Sequence, residues 1–246
     1  MYQHELARSG KSLFVIRGIY IYATIAGAIA IMWFNRDFGP FASDIGDRTW
    51  FAAGFAVACL GAAIRIFTSG WAALGTSGRV KAAAEAAELN TTGPYSLVRN
   101  PLYVGRIVNY TGMAMLSGSW AFAAVVFLLS VLIYERVSIY EEEFLRGKFG
   151  EAHANWAKDV PALFPRFRGW VAPKYNFWWK RMIWRERQKV FLLATSLAGT
   201  LFAYYGFDLG AIPASRMWVF YGWAVIAVLF ALTEIGSWVG YYKDMR

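Results

Sequence analysis

The sequence has few of the residues on which disulfide and metal chemistry depends. It contains one cysteine, Cys59, so no disulfide can form within the chain. Its two histidines, His4 and His153, lie far apart, which argues against a zinc site of the His/Cys type. The G-x-G-x-x-G, P-loop, H-E-x-x-H and G-x-S-x-G motifs are missing, so the soluble nucleotide, protease and hydrolase sites that they mark are not expected. We expect no metal cofactor.

Charge is scarce as well. Only 17% of the 246 residues are charged and 58% are hydrophobic, against about 25% and about 45–50% in soluble domains. Crossing a bilayer takes about 20 apolar residues, and a helix satisfies its own backbone hydrogen bonds there. The sequence therefore predicts an all-α, polytopic transmembrane helix bundle, with a short helical hairpin at 103–140. The six predicted spans are 12–34, 49–68, 103–118, 120–140, 190–207 and 215–241.

The net charge of +9 is explained by where the basic residues lie. With both termini in the cytoplasm, 21 of the 25 Lys and Arg residues fall on the cytoplasmic side and 3 on the other. Such an asymmetry is typical of membrane topology, so a nucleic-acid partner is not needed. We expect no removable signal peptide and one membrane domain over 1–246. Chemistry is expected on the cytoplasmic side, in the polar segments 69–102 and 141–189.

The first candidate site is the stretch 92–105, TGPYSLVRNPLYVG. Pro101 marks the start of a helix, whose free N–H groups suit a carboxylate or a phosphate. Arg99 adds a guanidinium just before that start. An equally good reading at this point is an Arg and Tyr anchor at the membrane surface. The stretch also carries rings for a ligand and a glycine for close approach of a helix or a ligand: Tyr95, Tyr103 and Gly105.

The second candidate site is Glu141-Glu142-Glu143, at the end of the fourth span. Neighbouring helical residues point about 100° apart, so at most one or two of these carboxylates can face the interior. An inward carboxylate could pair with Arg99 or hold an ammonium group, and a solvated helix face is the alternative. Further along, His153 shares a helical face with Phe149 and Trp156. Packing explains that face, and a role for His153 as a general base stays open.

Taken together, the two stretches resemble a known family. TGPY followed by VRNPLYVG is similar to the TGPY-x-x-x-R-H-P-x-Y-x-G pattern of the isoprenylcysteine carboxyl methyltransferase and phospholipid methyltransferase family. Glu141-Glu142, Leu145, Phe149-Gly150 and Val160-Pro161 resemble its E-E-x-x-L-x-x-x-F-G … V-P pattern. The resemblance covers about residues 60–166, and 170–246 would add a cytoplasmic loop and two further spans.

The resemblance implies an S-adenosylmethionine (SAM) site built from membrane helices and cytoplasmic loops and closed by the C-terminal stretch. Segment 88–92 would run beside the adenosine. Two departures are Asn100 in place of the usual His, and His153 and Trp156 where the family often has tyrosines. Arg99 and Glu142 would be the catalytic residues. The implied cofactor-binding residues are Leu89, Thr92, Tyr95, Arg99, Asn100, Pro101, Tyr103, Gly105, Glu141 and Glu142.

The implied function is methyl transfer from SAM to a membrane lipid or lipidated acceptor, through a carboxylate or an amine headgroup. Arg99 suits the carboxylate of SAM, although it could instead orient an acceptor carboxylate, and Glu142 or Glu141 suits the ammonium. Two alternatives remain. One is an NADPH-dependent membrane reductase of the steroid-reductase type, and the other is a non-catalytic membrane binding protein that keeps the fold.

Overall fold

All regular secondary structure is helical over the residues that the structure, a computed structural model, describes: 2–35, 44–73, 76 and 86–245. No β-strand occurs in these ranges, which confirms the predicted all-α class. Most of the polar loop at 74–85 lies outside them, as do Arg36, Arg79 and Lys81, three of the basic residues that support the predicted orientation. The helices are α1 (Tyr2–Ile16), α2 (Tyr20–Phe34), α3 (Asp44–Trp71), α4 (Pro101–Met115), α5 (Trp120–Asp159), α6 (Trp179–Tyr204) and α7 (Trp218–Trp238).

Three helical segments of the described chain are long and apolar enough to cross a bilayer: Arg48–Trp71, Trp120–Asp159 and Ala214–Trp238. A fourth span results if the pair Arg8–Val15 and Tyr20–Phe34, which is bent by 65°, is taken as one. The prediction of about six spans is therefore not confirmed. The side of the membrane on which the termini lie stays a prediction.

Two of the predicted spans do not reach this standard. Helix α4 has 15 residues, about 22 Å at 1.5 Å per residue, against a hydrocarbon core of about 30 Å. Helix α6 is long enough, but its first half is rich in Arg and Lys. The stretch 103–140 contains most of α4, a turn through Gly118 with φ +74°, and the first half of α5, and its arrangement as a membrane hairpin stays a prediction. Helix α5 runs on to Asp159.

Helices α3 and α4 pack so closely that only glycine fits between them. A Cβ atom on Gly61 would lie 2.2 Å from the backbone nitrogen of Asn109, and one on Gly112 would lie 2.2 Å from that of Ala58. Asn109 donates a hydrogen bond of 2.8 Å from its side-chain amide to the Ala58 carbonyl. Small residues at such spacing are typical of helix contacts in membranes. This contact holds the second half of α4 against α3, and the first candidate site lies at the other end of α4.

Helix α7 lies at the edge of the bundle. It packs against α6, and Arg187 joins the two helices through an ion pair of 2.8 Å with Glu234. Only 6% of its most apolar 18-residue stretch is buried within the protein. The exposed face is therefore available to lipid, as expected for a helix that crosses a bilayer.

Candidate functional site

A short turn and the start of α4 position the first candidate stretch. Gly93–Ser96 forms a 3-10 turn, with Gly93 at φ +60°, a value that favours glycine. The buried Ser96 hydroxyl donates to the Gly93 carbonyl at 2.6 Å and accepts from the backbone N–H of Val171 at 3.0 Å. Helix α4 then begins at Pro101, as the sequence predicts. The C-terminal stretch thus packs directly on this turn.

Arg99 and Glu142, which are 43 residues apart, meet in this structure. The Nε of Arg99 donates to Oε1 of Glu142 at 2.9 Å, and the two side chains are only 17% and 15% exposed. Partial burial strengthens such a pair, because water screens it less. The two candidate sites predicted from the sequence are therefore one site.

Asn100 joins the same site. Its side-chain amide donates to Oε1 of Glu142 at 3.3 Å and to the Ala162 carbonyl at 3.2 Å. It makes no capping bond to α4, so the amide is used across the site rather than along its own helix. Asn100 therefore links Glu142 to the chain after α5 by hydrogen bonds, although it cannot carry the charge of a histidine.

Gly150 folds α5 back onto Arg99. The Arg99 guanidinium also donates, through Nη1, to the Ala157 carbonyl at 2.8 Å. In a straight helix Glu142 and Ala157 would lie about 22 Å apart, so one guanidinium could not reach both. The break occurs at Gly150, whose φ of 48° and ψ of −122° are not helical. The glycine of the second family motif therefore closes the site.

The paired acid divides between two environments. Glu142 pairs with Arg99, whereas Glu141 faces Tyr103 and lies within electrostatic range of Arg17 and Arg106. Tyr103 is buried and stacks on Tyr134 with ring centroids 5.0 Å apart. Two of the three carboxylates thus point inward, the most that the helical geometry allows.

Gly105 serves a helix contact in this structure. A Cβ atom there would lie 2.6 Å from Cγ of Arg65 and 2.9 Å from the Gly61 carbonyl oxygen. Of the two roles that the sequence left open for this glycine, close approach of a helix is the one that the geometry displays. Pro101 is buried at the first position of the same helix.

The C-terminal stretch holds the segment expected beside the adenosine. Glu88 accepts from Lys174 Nζ and from the Tyr175 hydroxyl, each at 2.6 Å, and these hydrogen bonds lower the pKa of its carboxyl. Thr92 accepts at Oγ1 from the Lys174 backbone N–H at 3.1 Å. Leu89 lies half-buried between them. Tyr95, one turn later, accepts at its carbonyl from Trp156 Nε1 at 3.3 Å.

Helix α6 contributes residues that the sequence did not single out. Arg181 donates to the carbonyls of Ala72, Ala73 and Thr76, and the Trp178 backbone N–H donates to the Gly70 carbonyl at 2.9 Å. These bonds fix the end of α3 and the beginning of the loop that follows it. The signal was the run of Arg and Lys at 180–189, which the sequence analysis interpreted as topology alone.

A buried ion pair between Glu186 and Arg65 links α6 to the interior of the bundle. Glu186 accepts from Nε and Nη2 of Arg65, both at 2.9 Å, and from the Ser69 hydroxyl at 2.7 Å. Arg65 also donates from Nη1 to the Leu102 carbonyl at 3.1 Å. Arg65 is therefore an interior residue that links α6 to the first turn of α4.

His153 lies in the folded-back end of α5. Its side chain is 1% exposed, and it packs against Trp156 with ring centroids 5.7 Å apart. Neither ring nitrogen has a hydrogen-bond partner among the described residues. The described parts of the chain contain no group of three or more His, Cys, Asp or Glu side chains placed to hold a metal ion.

The chain resembles known proteins over part of its length. The chain is 37% identical over 121 residues to nickel-cobalt-cadmium resistance protein NccN of Alcaligenes xylosoxydans xylosoxydans, covering 49% of this chain and 54% of that protein. It is 41% identical over 96 residues to cobalt-zinc-cadmium resistance protein CzcN of Cupriavidus metallidurans, covering 39% and 42%. The chain thus spans about half the length of these curated relatives. No solved structure matches it. Residues 50–152 match the model of the phospholipid methyltransferase family, which confirms the family resemblance for the part of the chain that holds Arg99, Glu142 and Gly150.

Proposed function

We propose that this protein is an integral membrane methyltransferase that moves a methyl group from SAM to a lipid or lipidated acceptor. The observation that carries the proposal is the convergence of Arg99 and Glu142, at 2.9 Å, within the segment that matches the family. A guanidinium and a carboxylate held side by side are complementary to a zwitterion, because each can exchange its partner for the opposite charge of the ligand.

The donor set fits SAM. Its methionine end carries a carboxylate, which suits Arg99, and an ammonium, which suits Glu142. The amide of Asn100 lies beside the carboxylate of Glu142. The N-terminus of α4 at Pro101 lacks a side-chain cap and adds a partial positive charge. Segment 88–92 is held at both of its ends by hydrogen bonds to Lys174 and Tyr175, and its backbone is available to the adenosine. When bound, SAM supplies a methyl carbon that its sulfonium has already activated.

The protein's task is then to bind, orient and exclude water. Arg99, Glu142 and Asn100 fix the donor, and the chain after α5 contacts them through the Pro161 and Ala162 carbonyls, which accept from the Arg99 backbone N–H and the Asn100 amide. Reacting atoms held about 3–3.5 Å apart and in line react far faster than free ones. A carboxylate acceptor needs no base. For an amine acceptor a proton must leave, and His153 is the candidate base. It is buried and unpartnered among the described residues, and it lies in the folded-back end of α5 that contacts Arg99.

Ligand binding by the purified protein tests the proposal. SAM should raise its thermal stability, and NADPH, the donor of a reductase, should not. Arg99→Ala should weaken SAM binding about 10- to 150-fold, which corresponds to the loss of about 1.5–3 kcal/mol for hydrogen bonds to a charged group. Arg168→Ala, at an exposed arginine, is the matched control. Normal SAM affinity in Arg99→Ala, or stabilisation by NADPH instead of SAM, would refute the proposal.

A labelled-methyl assay with total membrane lipids separates an enzyme from a binding protein. The wild-type chain should transfer label to an extractable lipid, and Arg99→Ala should not. SAM binding without any transfer would favour a non-catalytic protein that keeps the fold.

The names of the two relatives suggest a physiological consequence. Methylation of a lipid-borne carboxylate to an ester removes one negative charge from the membrane surface. At a surface potential of about −30 mV a divalent cation is enriched about tenfold, so fewer negative lipids hold fewer metal ions near the membrane. Cells that express the wild-type chain should tolerate more Cd²⁺ than cells that express Arg99→Ala. Equal tolerance would exclude this role in metal resistance and would leave the proposed methyl transfer unaffected.

A further inference from the structure

Two helical faces meet beside the Arg99–Glu142 pair and form a polar cluster inside the bundle. Helix α4 supplies three residues at helical spacing, α5 supplies three more, and Arg17 joins them from the connection between α1 and α2. Side chains at i, i+3 or i+4 and i+7 share one face of a helix. The cluster consists of Arg17, Tyr103, Arg106, Tyr110, Tyr134, Ser138 and Glu141.

Three donors in this cluster make no hydrogen bond of normal geometry with the residues that the structure describes, although the Tyr134 hydroxyl lies within range of Arg106 and Tyr110. They are Nη1 of Arg106, the hydroxyl of Tyr134 and the hydroxyl of Ser138, and all three atoms are buried. Tyr134 is 0% exposed and Ser138 is 2% exposed. The Arg106 guanidinium carbon lies 5.6 Å from the centre of the Tyr134 ring. Buried polar groups are nearly always satisfied, so unsatisfied donors on the two packed helices α4 and α5 indicate that a ligand binds between them.

The charge of the cluster indicates the sign of that ligand. Arg17 and Arg106 are cations, and Glu141, the acidic member of the cluster, lies within range of both, while Glu142 is engaged by Arg99. One positive charge is therefore in excess in the described part of the cluster. An uncompensated buried charge is strongly destabilising, and an anion that accepts hydrogen bonds from the three donors would offset this cost.

We propose that Arg106, Tyr134 and Ser138 form the site that binds an oxyanion of the methyl acceptor, a carboxylate or a phosphodiester on a lipid. The inference rests on the proposed function for its acceptor. Arg106 lies five residues into α4, about 7.5 Å along the helix from Pro101, and Glu141 adjoins Glu142. The oxyanion site is thus about one to two helical turns from the donor site.

The two oxyanions would use the site differently. One oxygen of a bound carboxylate attacks the methyl carbon, the carbon–sulfur bond breaks with its electron pair going to sulfur, and a neutral ester and a thioether result without release of a proton. The ester has lost the charge that Arg106 binds, which favours its release. A phosphodiester is held without reacting, and the methyl group goes to the headgroup amine, whose N–H proton leaves to water.

Substitutions that remove the unsatisfied donors distinguish a ligand-binding role of these side chains from a purely structural one. Since the Tyr134 hydroxyl makes no hydrogen bond of normal geometry with the described residues, Tyr134→Phe should leave the melting temperature without ligand unchanged or raised. Tyr20→Phe is the matched control, because the Tyr20 hydroxyl donates to the Val126 carbonyl at 3.0 Å and its loss should lower the melting temperature. Arg106→Met removes the charge at similar length.

The probes are N-acetyl-S-farnesylcysteine with its methyl ester, and dioleoylphosphatidylethanolamine with dioleoylglycerol. One oxyanion probe should stabilise the wild-type protein in mixed micelles without SAM, and its neutral counterpart should not. The stabilising pair identifies carboxylate or phosphodiester as the source. Tyr134→Phe should weaken that binding about 10-fold and Arg106→Met about 10- to 150-fold, with SAM affinity unchanged.

Equal stabilisation by each oxyanion and its neutral counterpart, or unchanged binding in Tyr134→Phe and Arg106→Met, would overturn the site and leave only ordered water there. Such a result beside normal SAM binding would refute this inference and keep the proposed function. Selective oxyanion binding in a protein that does not bind SAM would support the site and refute the proposed function.

Discussion

Gly150 gives the most direct test of how the site is assembled. In this structure the Arg99 side chain contacts both Glu142 and the Ala157 carbonyl, and only a reversal of α5 makes that possible. Gly150 adopts φ 48° and ψ −122° at the reversal, a conformation that an L-residue with a Cβ adopts only with strain. Gly150→Ala therefore tests the reversal without deleting a contact.

The expected cost follows from the geometry. A Cβ atom at Gly150 would meet nothing within 4 Å, so the substitution introduces no clash, and the effect is backbone strain alone. Holding a residue other than glycine in such a conformation costs about 1–3 kcal/mol. Gly147, in the same helix, would also have nothing within 4 Å of an added Cβ atom, but its φ is not positive. Gly147→Ala should stabilise the helix by up to about 1 kcal/mol.

Chemical unfolding in mixed micelles compares the two variants, and hydrogen exchange over residues 151–159 reports whether the fold-back opens. We expect lower stability and faster exchange in Gly150→Ala, accompanied by weaker SAM binding, and neither change in Gly147→Ala. Equal stability and equal exchange in the two variants would show that the reversal at Gly150 is not a determinant of the site.

Three further perturbations test other parts of the site. Glu186→Ala should lower the free energy of unfolding by about 3–5 kcal/mol, because it leaves the buried Arg65 without its anion; a loss below about 1 kcal/mol in the same micelle titration would contradict the pairing. Hydrogen bonds lower the pKa of Glu88, so its hold on the C-terminal stretch should persist above about pH 4.3 and disappear as the pH falls through the lowered value. Proteolysis of residues 170–178 at pH 7 and pH 3 measures this, and Glu88→Gln should abolish the pH difference. Asn100→Asp places a carboxylate where the amide now donates to Glu142, so it should lower the melting temperature at pH 7.5 more than at pH 5. An equal loss at both pH values would argue against charge repulsion.

Sequence alone predicted the meeting of Arg99 and Glu142, because each belongs to a motif with a family pattern and both flank a predicted helix pair. It did not predict the fold-back, since the helical period of Glu142, Leu145 and Phe149 continues up to a single glycine and nothing local distinguishes a reversal from a straight helix. The number of spans also exceeded what the helices support. Hydropathy does not reveal that α4 ends after 15 residues or that the first half of α6 binds the interior of the protein.

Residues outside the family match support the candidate site through buried ion pairs. Glu186 lies beyond residue 152, the end of the match, yet it holds Arg65 at 2.9 Å, and Arg65 in turn binds the Leu102 carbonyl in the first turn of α4. That turn follows Arg99 by three residues. A change at Glu186 should therefore affect the proposed donor site through one buried side chain, without any contact to a ligand. A fragment that ends at residue 152 loses Glu186 together with Ala157, whose carbonyl accepts from Arg99, so it should lack a correctly placed Arg99 although it keeps the first motif and residues 141–150 of the second.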